Sequence, residues 1–210
     1  MASWSEVVDF SEPFGRAGAN DHVETYRVMS DVPVIVFDRE TGQRRVVKMR
    51  WGFPKPGNWK VPQPIHARAE AIDSTHPHKH GFANGRRGIV VAKTFNEAPD
   101  LPGKSIQHTI TPGDTPFLGL AFVWDRFEIA DLPAPLLACV MVTVPANALI
   151  ASLPTDRMPA VLAMEDWPGW LGQDNARSSA AKATLRTHAG VGWTMAREES
   201  SPTPLQATLL

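Results

Sequence analysis

The chain predicts an α+β fold, a single β-rich domain with short helices at its periphery, and three features carry that expectation. Its apolar runs are short and rich in β-branched residues, as at 32–37, 89–92 and 136–144. Turn formers separate them, 19 prolines and 15 glycines in 210 residues, too many for long helical bundles. Hydrophobic residues make up 43% and charged residues 20%, which suits one globular domain with a sizeable core.

Taken in order, residues 1–25 mix Ser, Glu, Asp, Gly and Asn with isolated apolar side chains and read as an irregular arm. The domain is expected over 26–197, and 198–210 is a polar, proline-containing tail. Strand-like segments 32–37 and 44–49 flank Asp38-Arg39-Glu40-Thr41-Gly42, a hairpin signal. Prolines at 54, 56, 62 and 64 predict a loop that carries Trp59 and Lys60. Trp51 is expected in the core, whereas Trp59 suits either an anchor or a platform for a flat ligand face. Further strands are expected at 106–111, 117–124 and 136–144. Pro145 opens a short helix over 146–152. The segment 155–159 breaks it, and 164–171 and the alanine-rich 178–187 read as terminal helices.

A formal charge of -1 and a pI of about 6.7 exclude a global positive field, so any contact with nucleic acid must be local. The basic clusters are Arg44, Arg45, Lys48 and Arg50, and Arg86, Arg87 and Lys93. The one cysteine, Cys139, excludes an internal disulfide and sits in an apolar run as a core residue. No apolar run approaches the ~18 residues of a membrane helix and no leader pattern opens the chain, so no membrane partner is expected and the expected location is cytoplasmic. His76, His78 and His80 would share one face of an extended segment. They lack an accompanying carboxylate or cysteine shell, so they read as a solvated loop; no metal and no cofactor is expected.

The stretch richest in chemistry runs from Ile65-His66-Ala67-Arg68-Ala69-Glu70 to Phe95-Asn96-Glu97. On residues alone, Arg68 and Glu70 form a surface ion pair, and Glu97 follows a buried strand at a fixed sheet edge.

Several segments in one order resemble the SRAP family, the SOS response-associated peptidase domain. Residues 26–35 resemble its Tyr-Asn-x-Ala-Pro segment and following strand, and Arg50-Trp51-Gly52-Phe53-Pro54 its Arg-Trp-Gly-Leu-x-Pro. His66-Ala67-Arg68-Ala69-Glu70 is similar to its Asn-Ala-Arg-Ala-Glu, and residues 86–97 to its Arg-Arg-Cys-Leu-x-Pro-Ala-x-Gly-Phe-Tyr-Glu. Asp156-Arg157-Met158-Pro159 matches the end of its His-Asp-Arg-Met-Pro. The resemblance covers about 26–171 and implies single-stranded DNA binding, reaction with abasic sites and peptidase-like chemistry. In the family an N-terminal cysteine closes its amine and thiol on the ring-opened sugar, supported by an asparagine, a glutamate and a histidine.

This chain departs from that set. Ala2 stands where the resemblance expects the cysteine, His66 replaces the asparagine and Thr155 the histidine, while Glu97 matches. The expectation is a divergent member that binds single-stranded or abasic DNA in the DNA damage response with its thiol crosslink lost. Glu97, His66 and Thr155 are the candidate catalytic positions, and Arg68, Arg87, Arg157 and Trp59 the candidate DNA contacts. Arg157 could instead be a structural cation paired with Asp156 or Glu70. Two alternatives stay open: an imine-forming abasic-site lyase using an amine with Glu97 and His66, and a non-catalytic interaction protein, such as one from a mobile element, that keeps the fold.

Overall fold

The structure is a computed structural model that describes residues 25–98, 106–113, 115–175 and 177–198. Most of the expected arm and nearly all of the tail lie outside the described residues. The domain opens with the hairpin that the sequence announces. Strands β1 (Asp31–Asp38) and β2 (Gln43–Trp51) pair antiparallel in continuous register, from Asp31 opposite Arg50 to Asp38 opposite Gln43. The turn closes because Asp38 Oδ1 accepts the Glu40 N–H at 2.9 Å and Gly42 takes a left-handed φ of +69°.

The expected proline-rich loop is corrected to a small hairpin, β3 (Pro54–Lys55) and β4 (Asn58–Pro62). Its prolines sit at strand ends of a two-stranded sheet, where a missing N–H breaks no inner ladder bond, and Gly57 at φ +79° makes the turn. Then follow β5 (His66–Arg68), helix α1 (His78–Ala83), β6 (Arg87–Ala92), β7 (Phe95–Glu97), β8 (His108–Thr111), β9 (Leu118–Phe127) and β10 (Leu136–Pro145).

The helix expected over 146–152 shrinks to a single 3₁₀ turn, Ile150–Ser152. Asn147 limits it: its side-chain oxygen takes the Ile150 N–H at 3.0 Å, which caps the turn from within the expected helix. Strands β11 (Arg157–Pro159) and β12 (Val161–Leu162), helices α2 (Trp167–Leu171) and α3 (Ser178–Ala183), and β13 (Thr194–Arg197) complete the order. The expected second terminal helix is therefore shorter than its alanine-rich run suggested, and β13 had no expectation at all.

β10 lies beside both β2 and β9, so β2, β1, β6, β9 and β10 close into a ring. Every contact in the ring is antiparallel except the parallel β10–β2 pair. β10 also pairs with β5 and β11, and a separate sheet runs β13–β8–β7. Outside the ring, α2 packs Trp167 and Trp170 against β6 and β9. Gly119 is required there, since a Cβ would stand 2.6 Å from the Trp167 ring. Trp170 Nε1 donates to the Gly88 carbonyl at 2.9 Å.

Candidate nucleic-acid cleft

A cleft of about 860 Å³ opens at one end of the ring. It touches all five ring strands, through Val32, Trp51, Val90, Phe122 and Met141 among others, and Val32 at the start of β1, Trp51 at the end of β2 and Ala92 at the end of β6 place it at one end of the ring. Its far wall is the small sheet, contributing Phe95, Asn96 and Thr109, and its lip holds Thr25, Tyr26, Arg27 and Val28. Trp51, expected in the core, is half-buried in this wall, with its Nε1 on the Ile65 carbonyl at 3.1 Å and its edge on Phe122.

Strand register decides which candidate residues reach this side. β5 runs parallel to β10 with His66 beside Met141 and Arg68 beside Thr143. Side chains alternate with period two, so His66 and Arg68 project to the face that carries Met141 in the cleft wall. His66 is exposed, yet surrounding atoms desolvate its ring and lower its pKa. Arg68 is exposed and makes no ion pair among the described residues.

Glu97 ends β7 beside His108 of β8. Alternation turns it to the opposite face of that sheet from Asn96. It is half-buried, and desolvation raises its carboxyl from the ordinary 4.5 to about 7. A carboxyl at that value is both a proton donor and a proton acceptor near neutrality. Thr155 sits in the turn before β11, its hydroxyl directed at the Arg157 carbonyl at 3.4 Å. It does not line the cleft.

Two of the expected DNA contacts lie away from the cleft. Arg87 is 2% exposed: its Nε donates to the Trp170 carbonyl and its guanidinium lies over Phe82, so it is a core cation shielded from any phosphate. Trp59 is separated from the cleft: it stands on β4 in a second groove with Phe127 and Arg126, with Arg50 and Lys60 near its ring. The period-two reading of the histidines also fails. His78 and His80 fall on α1, where two residues turn about 200°, so His78 is buried while exposed His80 meets Asp125 at 3.1 Å. Among the described residues no group of three metal-ligating side chains converges.

The Arg68–Glu70 pair is replaced by another. Arg157 binds Glu70 through both guanidinium nitrogens, at 2.8 and 2.9 Å, and reaches the Thr143 carbonyl at 2.6 Å. β5 and β11 flank β10 at Thr143, so this fork ties the Ala-Arg-Ala-Glu and Asp-Arg-Met-Pro segments together across the strand between them. The Arg157 bond holds the Glu70 carboxyl below the usual carboxylate range. Stability from this pair is present above that range and lost as pH falls through the lowered value. Glu70→Gln is expected to cost about 0.5–1 kcal/mol at pH 7, a cost that shrinks as pH falls through the lowered value, read from urea midpoints across an acid pH series.

The sequence reading missed Arg27, the one Arg or Lys among the described cleft-lining residues, and Glu198, the one acid. Asn96 was in view only as the neighbour of Glu97. Cys139 is fully buried with burial pushing its thiol far up, so it offers no nucleophile.

No curated protein sequence matches the chain. Among solved structures it is similar to a protein of Bacteroides thetaiotaomicron, at 19% identity and a TM-score of 0.68 over 81% of this chain and 75% of that one. A protein of Bordetella bronchiseptica matches at 21% identity and 0.68, over 81% and 84%. A phage-related protein of the same organism matches at 17% and 0.66, over 90% and 86%. These likenesses establish the fold. The family model described as SOS response associated peptidase matches residues 5–198, and the chain therefore belongs to the SRAP family.

Proposed function

We propose that the chain engages single-stranded DNA, at abasic sites, through the ring-end cleft, and does so without closing a sulfur-containing ring on the sugar. Family membership ties the protein to the SOS response. The cleft supports the finer reading: an apolar wall with Trp51 can take an unstacked base, while Arg27 at the lip and Arg68 on the same side can meet phosphates. Arg157, committed to Glu70 and Thr143, holds the floor of that side in place. With the one thiol of the chain sealed in the core, ring closure has no sulfur to use. The test is binding to single-stranded DNA carrying one abasic site, at two salt concentrations and with denaturing gels.

One observation favours a second reading. Desolvation pushes the Glu97 carboxyl up to about 7, the range of a general acid at neutrality, and Glu97 stands beside the cleft-lining Phe95 and Asn96 at the end of β7 without lining the cleft itself. An amine that condenses with the opened sugar's aldehyde forms an imine and releases water, and the Glu97 proton can leave with that hydroxyl. His66 can then take a proton from the sugar carbon next to the imine while the bond to the 3′ phosphate breaks and that phosphate leaves. Borohydride, which reduces an imine to a stable amine, separates this reading from simple binding.

A further inference from the structure

Glu198 enters the cleft from the other end of the domain. β13 pairs with β8, and the Glu198 N–H continues that pairing onto the Gln107 carbonyl at 2.9 Å. Its Oε1 accepts the Asn96 amide at 2.6 Å, and the Thr109 hydroxyl lies 3.2 Å from the same oxygen and 3.3 Å from Asn96 Oδ1. All three residues line the cleft.

Hydrogen-bond bookkeeping gives this cluster a definite face. One Asn96 N–H and the Thr109 proton are used internally. What remains for a ligand is the Glu198 Oε2 acceptor, a lone pair on Asn96 Oδ1 and the second Asn96 N–H. A carboxylate beside a single amide donor repels phosphate oxygens and attracts adjacent N–H groups. In single-stranded nucleic acid the pairing edge of an unstacked base is free to be read. Guanine presents two neighbouring N–H donors next to a carbonyl oxygen, which complements this face; thymine presents one N–H between two carbonyls, which the carboxylate repels. The apolar neighbours Phe95, Leu120 and Phe122 supply the flat wall.

We propose that Asn96, Thr109 and Glu198 form a base-edge reader inside the cleft, selecting a base with an exocyclic amino group, guanine above all, beside the abasic sugar. This rests on the reading of the cleft as a DNA site. The test is fluorescence anisotropy with two single-stranded oligonucleotides that differ only in dG or dT next to the abasic position. The native chain should prefer dG about tenfold. Glu198→Gln should bring the ratio within about twofold, by weakening dG binding and by relieving the repulsion of dT; Glu198 is exposed, so the substitution spares the core. Equal affinity of the native chain for dG and dT, or an undiminished preference in Glu198→Gln, overturns the base reader and leaves DNA binding standing. No binding to either oligonucleotide overturns both.

Discussion

Trp170→Ala is expected to lower the stability of the domain by about 3–5 kcal/mol, a large share of the ~5–15 kcal/mol that holds a domain of this kind together. The indole is fully buried on the outer face of the ring, tilted against Phe82 with centroids 6.1 Å apart. Its Nε1 holds the Gly88 carbonyl, and its own carbonyl receives Arg87 Nε. Truncation leaves a cavity, a carbonyl without its donor, and a buried cation whose acceptor has lost its support. Urea unfolding at pH 7 measures it; a loss below about 1 kcal/mol would mean that α2 contributes little to the ring.

Glu97→Gln should stabilise the protein at pH 8 by up to about 3 kcal/mol and leave it nearly unchanged at pH 4, because a rise from 4.5 to about 7 is worth that much. The sign follows from proton binding. Between 4.5 and about 7 the folded state keeps a proton on Glu97 that the unfolded state has released, so stability falls as pH rises through this window and is flat above it. Glutamine mimics the protonated form and removes the fall. Parallel stability–pH curves for the two proteins would show that Glu97 carries no raised pKa, and the general-acid reading would go with it.

The main hairpin was legible because Asp38 and Gly42 supply local turn chemistry between two short strand-like segments. The ring strands were legible from their β-branched runs. Closure of the ring was not, since it depends on the parallel contact of β10 with β2, a pairing between distant segments that leaves no local signal. Burial of Arg87 was not legible because an arginine at the start of an apolar run looks exposed; only α1 and α2, packed against it, show that its donors point at the Phe82 and Trp170 carbonyls. Trp59 was misplaced because prolines hid a two-stranded hairpin. The family motifs pointed to the right strands, and of the two readings of Arg157 the structural one matches the geometry, since Arg157 binds Glu70. Glu198 lies 102 residues from its partner Asn96, and nothing in either neighbourhood announces the contact.

The most direct measurement is affinity for single-stranded DNA with one abasic site, from low salt to physiological salt, followed by denaturing gels with and without borohydride. Occupation of the cleft predicts binding that weakens steeply with salt, a slope reduced by about 1 for each of Arg27→Ala and Arg68→Ala, and no adduct that survives denaturation without borohydride. Binding absent at low salt, or a slope indifferent to both arginines, would contradict the cleft as the DNA site, and a stable adduct formed without borohydride would contradict the loss of ring closure.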